Sequence, residues 1–105
     1  MKLSIKSTNL EITPAISEYI EKKIGSLDKF LKRFNAEGGV LTQVEISRTT
    51  KHHYKGDVFY AEINLHLPHK SMRGEATSED IRYSINMARE KIQHQIQKYL
   101  DTLAS

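Results

Sequence analysis

Cysteine is absent from the 105 residues, proline occurs twice and glycine five times. Without thiols the chain forms no disulfides, offers no thiolate nucleophile and holds no cysteine-ligated zinc, so a reducing, cytoplasmic setting is expected. Long apolar runs are missing too. The opening MKLSIKSTNLEI alternates polar and apolar residues and has no apolar h-region, so it reads as neither a signal peptide nor a membrane span. There is no Gly-rich phosphate loop, no nucleophile elbow and no zinc-protease helix motif, so no enzyme activity, no small-molecule substrate and no cofactor are expected. His52-His53, His66 and His69 lack a third ligand at helical spacing, and adjacent histidines on a loop point apart, so no metal is expected either. With no repeat, low-complexity stretch or linker, residues 1–105 are expected to be a single domain.

What is present begins with a mild basic bias. Lys and Arg number 16 against 13 Asp and Glu, giving a formal net charge of +3 and a sequence pI near 9.2. That suits nucleic acid or another acidic partner. Between Arg48 and Arg73 the basic residues are Arg48, Lys51, Lys55, Lys70 and Arg73, the acidic ones only Asp57 and Glu62, and four of the five histidines fall in the same stretch.

Periodicity supplies the elements. Met1 to Ser7 alternates as a half-buried strand, and Thr13-Pro14 opens a helix expected to run to about Phe34, with Ile16, Ile20, Ile24, Leu27, Leu31 and Phe34 inward. Gly38-Gly39 breaks the pattern. Val40–Thr50 and Val58–Leu67 read as strands around a polar loop, KHHYKGD, which carries Tyr54 as a stacking aromatic; Pro68 ends the second strand, and Ser71–Ala76 makes a fourth. Thr77 to Leu103 is the strongest signal. Its apolar positions Ile81, Ile85, Ala88, Ile92, Ile96, Tyr99 and Leu103 recur every three or four residues, with Thr77 as expected N-cap and Asp80 in capping-box position. The order β-α-β-β-β-α predicts an α/β two-layer sandwich: a four-stranded sheet with two helices on one face.

The helices carry cations on their flanks. In the last helix Ser84, Lys91, Gln95 and Lys98 border the apolar stripe on one side and Arg82, Arg89 and Gln93 on the other; in the first, Lys22, Lys29 and Arg33 form an outer stripe with Lys23 nearer its edge. Such borders suit phosphate and sugar contacts, although acidic neighbours such as Glu90 and Asp101 also fit an ordinary solvated face.

Three segments, in order, carry a family likeness: NLEITPAISEYIEKKIGSLDKF, KGDVFYAEINLHLPHKSMRGEATSED and EDIRYSINMAREKIQHQIQKYL. Together they resemble the ribosome hibernation-promoting factors, also described as ribosome-associated inhibitors or sigma-factor modulation proteins. The resemblance implies a fold topologically similar to double-stranded-RNA-binding domains and a non-catalytic role under stress or in stationary phase. It implies binding to the small ribosomal subunit and its ribosomal RNA, in the channel that messenger RNA and transfer RNA would otherwise occupy, and a monomer off the ribosome. The family's basic helix positions match Lys23, Lys91, Gln95 and Lys98; His94 stands where the family commonly has arginine, and Lys29, Arg33, Arg82 and Arg89 complete the expected RNA-binding set. Asn86 replaces the usual aspartate, and Arg82-Tyr83 stands where an aromatic followed by alanine is more usual. The family's long form adds a C-terminal dimerisation domain, which a chain ending at Ser105 is expected to lack. Two other readings fit the residues: a generic double-stranded-RNA module, and a protein-interaction modulator of transcription that uses the exposed sheet face.

Overall fold

A computed structural model of the chain describes residues 1–50 and 56–104, leaving aside the side chain of Thr50. The elements run β1 (Lys2–Thr8), α1 (Pro14–Gly25), a 3₁₀ turn (Ser26–Phe30), α2 (Lys32–Glu37), β2 (Leu41–Thr50), β3 (Asp57–Leu67), β4 (Lys70–Ser78) and α3 (Ile81–Ala104). The expected loop KHHYKGD lies mostly outside the described residues, so Tyr54 and the His52-His53 pair are not placed.

The sheet order is β1-β2-β3-β4, with β1 parallel to β2 and the remaining pairs antiparallel. A parallel pair needs a crossover, which α1, the 3₁₀ turn and α2 supply. Pro68 and His69 alone join β3 to β4, since Leu67 already pairs with Lys70. One sheet face presents Val44, Ile46, Ala61, Ile63, Leu65 and Met72 to the helices, and Ile20, Ile24, Ile85, Ala88, Ile92 and Ile96 descend on them, all buried. At roughly 25 cal/mol per Å² of apolar surface, this layer is the main stabilising contribution. The two-layer sandwich, with its crossover after the first strand and antiparallel hairpins after it, is the one that the sequence predicts.

Two local expectations fail. The first helix does not continue to Phe34: it stops at Gly25, tightens into the 3₁₀ turn and resumes as α2. Gly25 is a weak helix former, and the Ser26 hydroxyl donates to the carbonyl of Lys23 at 2.6 Å, competing with the helical ladder. The inward residues tolerate the break, because Leu27, Leu31 and Phe34 remain buried. The last helix, for its part, starts later than Thr77. Strand β4 runs on through Ser78, and Asp80 becomes the cap: its carbonyl accepts from Ser84 N at 3.0 Å and its Oδ1 accepts from Arg82 N at 2.9 Å. Thr77 pairs with Tyr60 in the sheet instead.

Thr13 caps α1 as expected, its Oγ1 accepting from Ile16 N at 3.2 Å with proline at the first turn. At the end of α2, Gly38 (φ 151°) and Gly39 (φ 96°) turn the chain into β2 through backbone conformations that a side chain would strain.

Candidate functional site

The break at Ser26 ends α1 beside the middle of α3, and several cations gather there. Arg89 donates from Nε to the Lys23 carbonyl at 2.8 Å, from Nη2 to Ser26 Oγ at 2.7 Å and from Nη1 to Gln93 Oε1 at 2.7 Å. Its guanidinium thus covers a helix C-terminus, where unpaired carbonyls concentrate negative partial charge. One turn back, Tyr19 lies between two cations, with Lys23 Nζ 5.6 Å and the Arg82 guanidinium 5.1 Å from its ring centroid. Asn86 Nδ2 donates to the Tyr19 hydroxyl at 2.5 Å. The open cleft between the helices, about 510 Å³, is lined by Lys22, Lys23, Arg89, Asn86, Tyr83 and Glu90 among others. Three cations against one carboxylate make it electropositive.

The opposite flank of α3 faces β4. Lys91 Nζ donates to the Glu75 carbonyl and Gln95 Nε2 to the Arg73 carbonyl, each at 2.7 Å. Lys98 lines a second cleft with Lys70, Gln95 and Tyr99. Lys70 Nζ sits 5.9 Å from the Tyr99 centroid, and that ring stacks on Phe34 at 5.8 Å. His94 is exposed on the side of α3 away from buried Ile85, Ile92 and Ile96. Lys29 and Arg33 lie on the 3₁₀ turn and α2: Lys29 Nζ is 5.2 Å from the Phe30 centroid, and Arg33 Nε reaches Glu37 Oε1 at 3.4 Å.

The structure therefore brings Lys23, Arg82 and Arg89 together, sets Lys91, Gln95 and Lys98 on the other flank, and leaves Lys29 and Arg33 apart. Ser84, expected on a surface flank, is buried; its Oγ meets the Phe59 carbonyl at 2.9 Å and Ser78 Oγ at 2.6 Å. Lys22, Tyr83 and Asn86 join the cleft although the expected set omits them. Lys22 stands beside Lys23, and Tyr83 is an aromatic beside Arg82, so adjacency to a cation was the available signal.

The sheet face away from the helices holds a separate polar network. The single Tyr60 phenol proton is shared between Glu62 Oε1 at 2.7 Å and Glu75 Oε2 at 2.5 Å. Arg73 Nη2 meets the same two oxygens at 2.6 and 3.1 Å, and Asn64 Nδ2 donates to Glu62 Oε2 at 2.7 Å. The Tyr60 hydroxyl holds both carboxyls below their ordinary range, helped by Asn64 and Arg73 at Glu62 and by Arg73 at Glu75. Desolvation, together with donation to the carboxylates, pushes the phenol up. Among the described residues no group of three or more His, Asp and Glu side chains is placed to hold a metal ion, and no helix is long and apolar enough to cross a membrane.

Comparison with known proteins gives these features a context. The family model described as Sigma 54 modulation protein / S30EA ribosomal protein matches residues 3–104. A ribosome hibernation promotion factor of Lactococcus lactis subsp. cremoris is 36% identical over 99 residues, covering 94% of this chain and 49% of that protein. Its namesake from Staphylococcus aureus is 28% identical, covering 94% and 48%. The chain thus spans about half the length of these relatives. Among solved structures, the N-terminal domain of Thermus thermophilus Protein Y superposes with a TM-score of 0.77 at 29% identity, covering 94% of this chain and 99% of that one. A ribosomal subunit interface protein from Coxiella burnetii shares the fold with a TM-score of 0.66 at 20% identity, covering 96% and 99%.

Proposed function

Because the chain belongs to the Sigma 54 modulation protein / S30EA ribosomal protein family, we propose that it acts as a ribosome hibernation factor in the cytoplasm. It binds the small ribosomal subunit through ribosomal RNA, fills the channel that messenger RNA and transfer RNA would use, and so silences translation without catalysing a reaction. One observation carries this reading: the family match covers residues 3–104, so every cation of the two α3 flanks and of α1 lies inside it. In this reading residues 1–105 form the ribosome-binding unit, monomeric away from the ribosome.

The physics favours the α1–α3 side as the primary RNA contact. Lys22 and Lys23 have no carboxylate within ion-pair distance among the described residues, so their charge is available to phosphate. Lys91 and Gln95 each give one donor to a β4 carbonyl, which holds them against the strand and leaves fewer N–H groups for phosphate than on the two lysines of α1. Lys98, Arg82 and His94 are exposed and extend the surface on both sides.

The test is co-sedimentation with isolated small subunits at low and moderate salt, with and without messenger RNA and initiator transfer RNA. Saturable binding that these ligands displace is expected. Binding that they leave untouched would remove channel occlusion, and absence of binding would remove the ribosomal reading altogether.

A further inference from the structure

Tyr83 is the feature that packing does not account for. At 58% exposure it is the most exposed large apolar or aromatic side chain among the described residues, ahead of Leu41 and Leu103. The other described tyrosines are engaged. Tyr19 lies between two cations, Tyr60 anchors the carboxylate network, and Tyr99 stacks on Phe34. Tyr83 has no hydrogen bond or ring contact among the described residues, and it lies on the wall of the α1–α3 cleft with Lys22, Lys23 and Asn86. An uncovered aromatic face on a rim of unpaired ammonium groups has a chemical complement: a flat π-system carried on a phosphate backbone.

Resting on the ribosomal reading above, we propose that this cleft takes an unpaired RNA segment, with one extruded base stacked on Tyr83 and the flanking phosphates held by Lys22, Lys23 and Arg82. A regular duplex does not meet the requirement, because each base is already covered by its neighbours on both faces and the deep, narrow groove of A-form RNA excludes side chains. Loops and bulges expose the face that the ring needs. An acidic peptide would satisfy the lysines and leave the ring bare. Asn86 adds a base-edge partner: its Nδ2 is committed to Tyr19, while its carbonyl oxygen stays able to accept from an exocyclic amine.

The proposal separates stacking from charge, and the two respond differently to salt. Tyr83→Ala and Tyr83→Leu should each weaken binding to isolated small subunits by about five- to 150-fold, the range of one base–aromatic stack, while leaving the slope of log affinity against log salt unchanged. Tyr83→Trp should bind as wild type or tighter. Lys22→Ala should instead flatten the slope by about 0.7, the counterion release of one single-strand phosphate contact. The chain has no tryptophan, so Tyr83→Trp also introduces a sole indole. A short single-stranded adenine oligomer should quench its emission, and a duplex of equal length should not. Equal quenching by duplex would overturn the proposal. So would wild-type affinity in Tyr83→Ala alongside weakened Lys22→Ala, which would leave the ribosomal reading standing. Displacement by polyglutamate in preference to the single strand would assign the cleft to an acidic protein segment. If the wild-type protein did not bind subunits, the underlying reading would fall first.

Discussion

Gly74 is a methyl group away from displacing α3. A Cβ built there would meet the Ala88 carbonyl oxygen at 2.6 Å, Ile92 Cγ1 at 3.1 Å and Lys91 Cβ at 3.2 Å. The first of these is helix backbone and cannot rotate aside. Restoring an ordinary 3.4 Å contact from 2.6 Å requires α3 to lift by about 0.8 Å over β4. That lift strains the 2.7 Å bonds from Lys91 and Gln95 to β4, which bracket the contact. Overpacking of this kind costs about 1–3 kcal/mol, and weakening two hydrogen bonds adds up to about 1 kcal/mol each. Gly74→Ala should therefore lower stability by about 2–4 kcal/mol. In urea, with a slope of about 2 kcal/mol/M, the middle of the usual range, the midpoint should fall by roughly 1–2 M at unchanged slope. Gly25→Ala is the matched control. It has nothing within 4 Å and an ordinary helical φ of −59°, so the same methyl should raise stability by about 0.4–1 kcal/mol. A Gly74→Ala midpoint indistinguishable from wild type, or a loss equal in the two variants, would refute the close-approach argument.

Three further outcomes are expected. Asp80→Ala should cost about 1 kcal/mol as a lost helix cap, whereas Thr77→Ala should stay within about 0.5 kcal/mol; thermal unfolding of both variants locates the cap. The outer-face network should make stability depend on pH at both ends. Glu62 and Glu75 have lowered pKa values when folded, so their contribution is present above the unfolded carboxyl pKa and lost as pH falls through the folded values; Tyr60 has a raised one, so its contribution is present below the unfolded phenol pKa and lost as pH rises through the folded value. Urea midpoints across pH should form a plateau that Tyr60→Phe flattens at both edges, and a curve of unchanged shape would contradict the shared-proton geometry. Charge reversal of Lys22 and Lys23 together should weaken small-subunit binding and flatten its salt dependence by more than one unit; the urea midpoint should fall modestly too, because both lysines stand in the last turn of α1 and Lys23 lies over Tyr19.

The part of the fold legible in the sequence is the part governed by period. The spacing of Ile81, Ile85, Ala88, Ile92 and Ile96 and the alternation of Ala61, Ile63, Leu65 and Leu67 each specify a face, and two helical faces with one sheet face leave few arrangements. Where the reading erred, neighbouring residues offered equivalent chemistry. Thr77, Ser78 and Asp80 can all cap a helix, and only the pairing of β4 with β3 as far as Ser78 selects the last. Ser26 could have sat within a helix until Arg89, distant in the chain, bound both its hydroxyl and the Lys23 carbonyl. Nor does a helical wheel tell Lys91, which is tied to the Glu75 carbonyl, from Lys23, which has no such bond from its ammonium: both stand near the edge of an apolar stripe. That difference depends on which strand ends the sheet, a property of the whole fold.

The same two bonds from Lys91 and Gln95 bear on self-association. β4 ends the sheet on one side and β1 on the other. An endless fibre of sheets needs both borders free, so that the last strand of one molecule can add to the first strand of the next. Here the Gln95 and Lys91 side chains of α3 take the carbonyls of Arg73 and Glu75, which makes that border a poorer template for a further strand. At the other border Lys2 and Lys6 are exposed, and pairing β1 against β1 would bring these like charges together. Such a pairing is two-fold and closes on itself, so the border least covered by side chains leads to a pair and not to a fibre.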